Sequence, residues 1–286
     1  MPLDIAWIAL SLVPRIGNKT LDNLLSTFGT CDHIIHASKK DLMKIRGIGE
    51  KTAHAITAID IDTLQYDLDH WQNAGVQIIT RDDALYPNIL HNLDDKPLTI
   101  FVRGRYQPEE WQPAVAIVGS RHATQVSQST ASQLAEAYTD KGWTVISGLA
   151  LGIDTAAHQG ALNSRNTPTI AILGGGVLDI YPPQNQALAD KILEQGALIS
   201  ENAPYATSNA ARLVTRNRII SGLCQQVIVV QSDINGGAMY AAKAAQQYGK
   251  KVLTLDYSFS GNQALITQGA QAINSHDYVI PSSKTP

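Results

Sequence analysis

From Pro113 onward short apolar runs alternate with helical patterns, and this alternation restricts the possible folds more than any other feature of the chain. The runs at 115–118, 144–147, 169–173, 197–200, 227–231 and 251–255 are too short for buried helices and are rich in the β-branched residues of interior strands. Between them, residues 127–141, 155–163, 185–195, 210–223 and 238–248 repeat apolar positions at helical spacing. Strands joined through helices of this length form right-handed βαβ units. The spacing therefore predicts an α/β fold, an extended Rossmann-like, doubly wound and mostly parallel sheet.

In such sheets ligands bind beyond the carboxyl ends of the strands, so the residues that follow each strand matter most. Here they are Gly119-Ser120-Arg121, Ser147-Gly148-Leu149-Ala150, Gly174-Gly175-Gly176 and Ser232-Asp233-Ile234-Asn235-Gly236-Gly237. A glycine after a strand is often a plain turn. Four such loops in register would aim backbone N–H groups and helix N-termini at one region, which suits a polyanion. The chain has no GxxxxGK[ST] string and no G-x-G-x-x-G after its first interior strand, so P-loop nucleotide hydrolysis and ordinary dinucleotide binding are disfavoured.

Within these loops Arg121 offers a rigid donor fork beside the amides of Gly119 and Ser120. Ser147 supplies a hydroxyl and Gly148 a close backbone approach, while Gly174, Gly175 and Gly176 leave room for a nucleotide to lie on the backbone. The competing reading of these glycines is a turn tucked under a neighbouring helix. Residues 203–224 contain Arg212, Arg216 and Arg218 and no carboxylate, a local basic patch in a chain of net charge −3. On a helix Arg212 and Arg216 share a face while Arg218 points about 200° away from Arg216, so the three cannot all reach one phosphate and one of them is expected to pair with a carboxylate such as Glu201. Asp154 and His158 stand four apart and mimic an acid–base pair, but a helix cap with a packed histidine is the simpler account. Tyr181 and Tyr205 are candidates for base stacking.

Residues 1–65 read as a separate helical domain, leaving 66–286 to the sheet. Two strings in it resemble each other: Val13-Pro14-Arg15-Ile16-Gly17-Asn18-Lys19-Thr20 and Ile45-Arg46-Gly47-Ile48-Gly49-Glu50-Lys51-Thr52. Each places an Ile-Gly step two residues before Lys-Thr at the start of a helical pattern. This is similar to a tandem helix-hairpin-helix module, in which glycines let backbone N–H groups approach a phosphate. Gly47, Gly49 and Lys51 are the candidate contacts. In the first copy Arg15 stands where a glycine is expected. Tyr86-Pro87 marks the passage into the sheet domain, before a short strand at 98–102.

With 44% hydrophobic and 16% charged residues the chain is neither disordered nor a histone-like polycation. Cys31 and Cys224 lie far apart, without zinc spacing, and no apolar run approaches the roughly 20 residues of a membrane span. The N-terminal segment carries its charges in the wrong order for a secretory signal. These features lead us to expect a cytoplasmic protein with no metal, no cofactor and no membrane partner.

The strings Gly119-Ser120-Arg121, Ser147-Gly148-Leu149-Ala150 with Gly152-Ile153-Asp154, Tyr181-Pro182, Ser200-Glu201 and Arg216-Asn217-Arg218-Ile219-Ile220-Ser221-Gly222-Leu223 resemble the DNA-processing protein A family, also called Smf. The resemblance runs in order from about residue 86 to 270, and the helical module is also similar to one that many members carry. It implies a protein without a known catalytic reaction that binds single-stranded DNA and helps load the RecA recombinase during natural transformation. It also implies a homodimer, for which Leu265, Ile266 and Ile273 are the candidate contacts, and DNA contact by Arg216, Asn217 and Arg218. The sequence departs from the pattern at Val214-Thr215, at Pro168 and at Asn235-Gly236-Gly237. No winged-helix segment follows the sheet before Pro286. A second reading, a nucleotide-phosphate hydrolase resembling the phosphoribohydrolases, expects Thr and Glu after a Gly-rich loop, where this chain has Val177-Leu178-Asp179.

Overall fold

The computed structural model describes residues 3–164, 167–274 and 279–282. It begins with helices α1 (Ile5–Leu12), α2 (Asn18–Phe28), α3 (Cys31–Ile35), α4 (Lys39–Leu42), α5 (Glu50–Thr57) and α6 (Ile61–Asn73). Asp4, Thr30, Ser38 and Asp60 set four of the starts, each side chain accepting from a backbone N–H three residues on. The two related strings begin α2 and α5 from Gly17 and Gly49, neither of which supplies a cap side chain. Two residues earlier, Gly47 has φ +94° and Arg15 has φ +72°. The left-handed turn that glycine adopts freely is imposed on an arginine in the first copy, at a cost of about 1–2 kcal/mol.

Helix α6 runs across residue 65, where the sequence set the domain limit, because its second half is held by the sheet: Leu68 and Trp71 pack with Ile8 and Phe101. Other links tie the two parts together. The Trp7 indole N–H donates to the Leu98 carbonyl at 3.1 Å, and the Asn18 amide to Lys96 at 2.6 Å. Arg81 donates to Asn18 and Asp22, with its guanidinium 4.9 Å from the Trp7 ring centre.

The second part comprises β1 (Val76–Thr80), α7 (Asn88–His91), β2 (Thr99–Gly104), β3 (Ala114–Val118), α8 (Gln125–Asp140), β4 (Thr144–Ser147), α9 (Ile153–Asn163) and β5 (Thr169–Ile172). It continues through α10 (Gln186–Gln195), β6 (Ala197–Ser200), α11 (Ala210–Gly222), β7 (Gln226–Val229), α12 (Ala238–Gln247), β8 (Lys251–Leu255), α13 (Ser260–Thr267) and β9 (Gln271–Ile273). The nine strands order as β1-β2-β6-β5-β4-β3-β7-β8-β9. Pairing is parallel except at β1–β2 and β2–β6. Strands β1 and β9 have no counterpart in the sequence reading: β1 is a five-residue strand at one edge of the sheet, and β9 spans only three residues, too few for a period to show.

Alternate residues of β3 enter two cores, as a two-residue period requires. Ala114, Ala116 and Val118 pack toward α11 and α12, whereas Val115 and Ile117 pack toward α8 and α9. The chain leaves β3 in one direction through β4, β5 and β6, then returns to its other side with β7, β8 and β9. That reversal at β3 opens a crevice beyond the strand ends. Two of the expected self-association contacts are corrected here. Leu265 and Ile273 are buried in these cores, and only Ile266 is partly exposed, because α13 and β9 spend their apolar side chains covering β8. No helix among the described residues is long and apolar enough to cross a membrane.

Candidate functional site

The crevice at the β3 reversal has a volume of about 610 Å³. The loop from Gly119 to His122 forms one wall and the start of α11, with Asn209 and Ala210, another; the turn that leads into α12 closes it. Asn209 caps α11 through its side chain, accepting from the Arg212 N–H at 2.9 Å. Helix α12 starts at Gly237 without a side-chain cap. Two helix N-termini therefore end in the crevice wall and bias it toward negative charge. Arg121 is exposed, lines the crevice and makes no ion pair among the described residues. Tyr181 and Tyr240 also line it, at 46% and 50% exposure.

Below this surface the loops are satisfied from within. Asp154, in the first turn of α9, accepts from the Gly148 N–H at 3.1 Å and from the Ala150 N–H at 3.4 Å. Burial pushes its carboxyl up, against the pull of Arg216 and of the backbone N–H groups of Ala150, Gly148 and Gly119. Asp154 thus caps the preceding loop instead of its own helix, whose N-cap is Gly152. His158 is not its partner: the His158 Nδ1–H donates to Thr169 Oγ1 at 2.8 Å, since that hydroxyl is already donating to Val145. Burial pulls the His158 imidazole down to about 3, with Arg216 adding to the effect.

Several expected contacts are corrected by where the structure places them. Arg216 is only 4% exposed; its Nη1 donates to the Gly148 carbonyl at 2.6 Å and to that of Ile172. Burial lowers its guanidinium to about 10, partly restored by Asp154. It sits beneath the crevice and fastens the ends of β4 and β5 to α11. A Cβ on Gly148 would overlap that guanidinium, so this glycine makes room for an internal arginine, not for a ligand. Ser147 is fully buried, its hydroxyl donating to Ile117 at 2.7 Å. The Ser120 N–H is spent on the Gln231 carbonyl at 2.8 Å, and the Ser120 hydroxyl accepts from the His122 N–H. Gly174, Gly175 and Gly176 are buried under returning chain: a Cβ on Gly176 would run into the Pro204 carbonyl, and one on Gly174 would come 2.8 Å from Leu213.

Arg218 points away from the crevice and pairs with Glu201, with Asp95 4.0 Å from its Nε. Asn217 does line the crevice, donating to the Gly237 carbonyl at 3.1 Å. Tyr205 stacks on His70 with ring centres 6.0 Å apart. Gly47, Gly49 and Lys51 are exposed at the second hairpin. The sequence reading missed His122, Asn209 and Tyr240 as crevice residues. Only Asn209 carried a local signal, an N-cap residue before a helical pattern.

The fold and the crevice describe a doubly wound α/β protein whose strand-end cleft suits a phosphate-rich ligand, joined to a helical hairpin tandem. Comparison with known proteins specifies it further. A family model described as DNA recombination-mediator protein A matches residues 77–283, and one described as SAM-like helix-hairpin-helix tandem matches residues 8–58. The chain belongs to the DNA recombination-mediator protein A family. It is 32% identical over 286 residues to the protein Smf of Synechocystis, an alignment covering 96% of this chain and 71% of that one. Among solved structures it is similar to DNA processing protein A of Streptococcus pneumoniae, at 26% identity and TM-score 0.78, over 96% of this chain and 95% of that one. It is also similar to the Helicobacter pylori protein whose structure describes a single-stranded DNA binding mode, at 27% identity and TM-score 0.63, over 71% and 93% of the two chains.

Proposed function

We propose that the protein binds single-stranded DNA in the β3 crevice without transforming it, and that it passes the strand to a RecA-type recombinase. The observation that carries this reading is Arg121: an exposed, unpaired guanidinium on a cleft that also holds two helix N-termini and two half-exposed tyrosines. Such a surface meets a phosphate with the arginine and offers the tyrosine faces to unstacked bases, which a duplex keeps enclosed. Because the loop amides are committed to Asp154 and Gln231, grip on the phosphate falls to Arg121 and the outer helix ends. Handing the strand to a recombinase follows from the family's description as recombination mediators and from the Helicobacter relative's single-stranded DNA binding. The exposed second hairpin, with Gly47, Gly49 and Lys51, adds sequence-independent phosphate contact.

Fluorescence anisotropy with labelled oligothymidylate and the matching duplex tests the first step. The strand is expected to bind and stay intact, with the duplex weaker; tight duplex binding without strand binding would overturn it. For the second step, RecA filament growth on a strand coated with single-strand binding protein is expected to speed up when the protein is added.

A further inference from the structure

Three exposed rings form a stack outside the crevice lining. Tyr66 and His70, one turn apart on α6, lie with ring centres 6.5 Å apart and planes within 6° of parallel. Tyr205, in the loop after β6, continues the stack at 6.0 Å, and its hydroxyl meets His70 Nε2 at 3.3 Å. Both carriers are fixed. Helix α6 buries Leu68 and Trp71 on its other face. The loop is tied by the Gly176 N–H, which donates to the Ala206 carbonyl at 2.7 Å, and by the Leu178 N–H, which donates to that of Pro204 at 2.8 Å. A stack that served only to clasp α6 to the sheet would cover its rings, whereas Tyr66 is 73% and Tyr205 53% exposed. Tyrosine is enriched among the anchors of protein interfaces, because it brings a large, stiff contact face at little entropic cost.

The charge around the stack selects its occupant. From 52 to 80 the chain has four aspartates and no Lys, Arg or Glu. At 100° per residue Asp62 and Asp69 fall about 40° and 60° to one side of Tyr66, and Asp67 falls about 60° beyond His70 on the other. None of these three forms an ion pair among the described residues; Asp69 accepts from the Gln65 amide at 2.7 Å. Arg212, the cation nearest to Tyr205 in sequence, donates to the Thr207 carbonyl at 2.6 Å. A nucleic acid strand would bring its phosphates against these carboxylates, so the stack does not extend the strand surface of the crevice. A guanidinium suits it on both counts, since its plane can lie on a tyrosine face while its fork meets a carboxylate.

We infer that the outer face of α6, completed by Tyr205, docks an arginine-bearing segment of a partner protein. The arginine lies on the open face of Tyr66 and pairs with Asp62 or Asp69. A lysine brings the charge without the plane or the fork and is held less well. The inference does not depend on strand binding in the crevice.

The test is fluorescence anisotropy of the full chain with a labelled Gly-Arg repeat peptide, its Gly-Lys and Gly-Glu counterparts, and oligothymidylate. The Arg peptide is expected to bind saturably, the Lys peptide about threefold more weakly, and the Glu peptide not at all. Tyr66→Ala should weaken the Arg peptide about fivefold, and so should Asp62→Asn combined with Asp69→Asn. Tyr66→Phe keeps the ring face and should bind as the parent does. All three positions are exposed, so the thermal midpoint should hold in each variant. Asp140→Asn with Asp256→Asn, exposed carboxylates on other elements, should leave peptide binding unchanged. The inference fails if the Arg peptide does not bind saturably, if the Lys peptide binds as tightly, if neither α6 change weakens binding, or if the Asp140 and Asp256 changes weaken it as much. Tyr66→Ala should leave affinity for oligothymidylate as in the parent. A loss there would put the stack on the path of a strand and overturn the inference.

Discussion

The loops after β3 and β5 both open with glycine at a parallel strand end, Gly119-Ser120-Arg121 and Gly174-Gly175-Gly176, yet one is open and the other closed. After β3, Arg121 stands exposed over the crevice. After β5, Gly174, Gly175 and Gly176 are buried beneath the chain around Pro204, Ser208 and Leu213. In both places glycine permits a close approach. At Gly119 it is the Ile153 side chain and the Gln231 carbonyl that come close, and at Gly174 to Gly176 it is returning chain; what differs is that the β3 loop goes on to present Arg121 to solvent. Arginines divide in the same way, Arg121 on the surface and Arg216 beneath it, holding two strand ends by their carbonyls.

The largest effect expected from this contrast is at Arg216. Arg216→Ala leaves the Gly148 and Ile172 carbonyls short of a donor and Asp154 without a nearby cation, and should destabilise by about 4 kcal/mol in urea unfolding. Arg216→Lys keeps the charge but not the fork, and should recover only part of that loss. A stability change below about 1 kcal/mol for Arg216→Ala would return this residue to the ligand surface.

Next in size, Gly176→Ala should cost about 3 kcal/mol, because the atom in the way is a backbone carbonyl that cannot rotate aside. It should leave affinity for the strand unchanged in the fraction that folds, as measured by anisotropy below the melting range.

The acid limb of the stability profile probes the layer beneath both loops. His158 is held down at about 3, so between pH 3 and 6.5 the unfolded chain binds more protons, and stability falls as pH drops through that window. By pH 4 this amounts to about 3 kcal/mol. Asp154, pushed up by burial, acts with the opposite sign: in the native state it keeps its proton to higher pH than when unfolded, so its contribution declines as pH rises. The clean measurement is the difference in pH slope between the parent and His158→Gln, which should be flatter.

Smallest in stability is Arg121→Ala, within about 0.5 kcal/mol of the parent as for other exposed positions. Its effect should appear in binding. Affinity for oligothymidylate is expected to fall tenfold to a hundredfold, and the slope of log K against log salt to flatten by about 0.7. If stability and binding fell together here, the open loop would be as structural as the closed one.

Much of the architecture could be read from residue order. The main strands and their helices fall within two residues of the positions that periodicity assigns, and the pivot of the first hairpin is where the sequence shows an arginine in place of glycine. The site was legible only in outline. Arg121 could be picked out because it follows a Gly-Ser turn at a strand end, where a guanidinium offers a rigid donor fork. Arg216 and Arg218 could be recognised as divergent, but not which would be buried, since a helix fixes the angle between them and not what packs on either side. Tyr240 gave no signal, because a tyrosine in an alanine-rich helix reads the same whether it faces a neighbour or a cleft.

Period and turn chemistry are local, set by a residue and its few neighbours, and so the sequence by itself determined the interior strands from β3 to β8, the helices between them, their alternation and the end of the sheet that such folds use for ligands. Which glycine loop remains open was decided by tertiary structure alone. The segment that closes Gly174 to Gly176 returns some thirty residues later in the chain, and the exposure of a loop depends on the path of chain that passes over it, which no local pattern records.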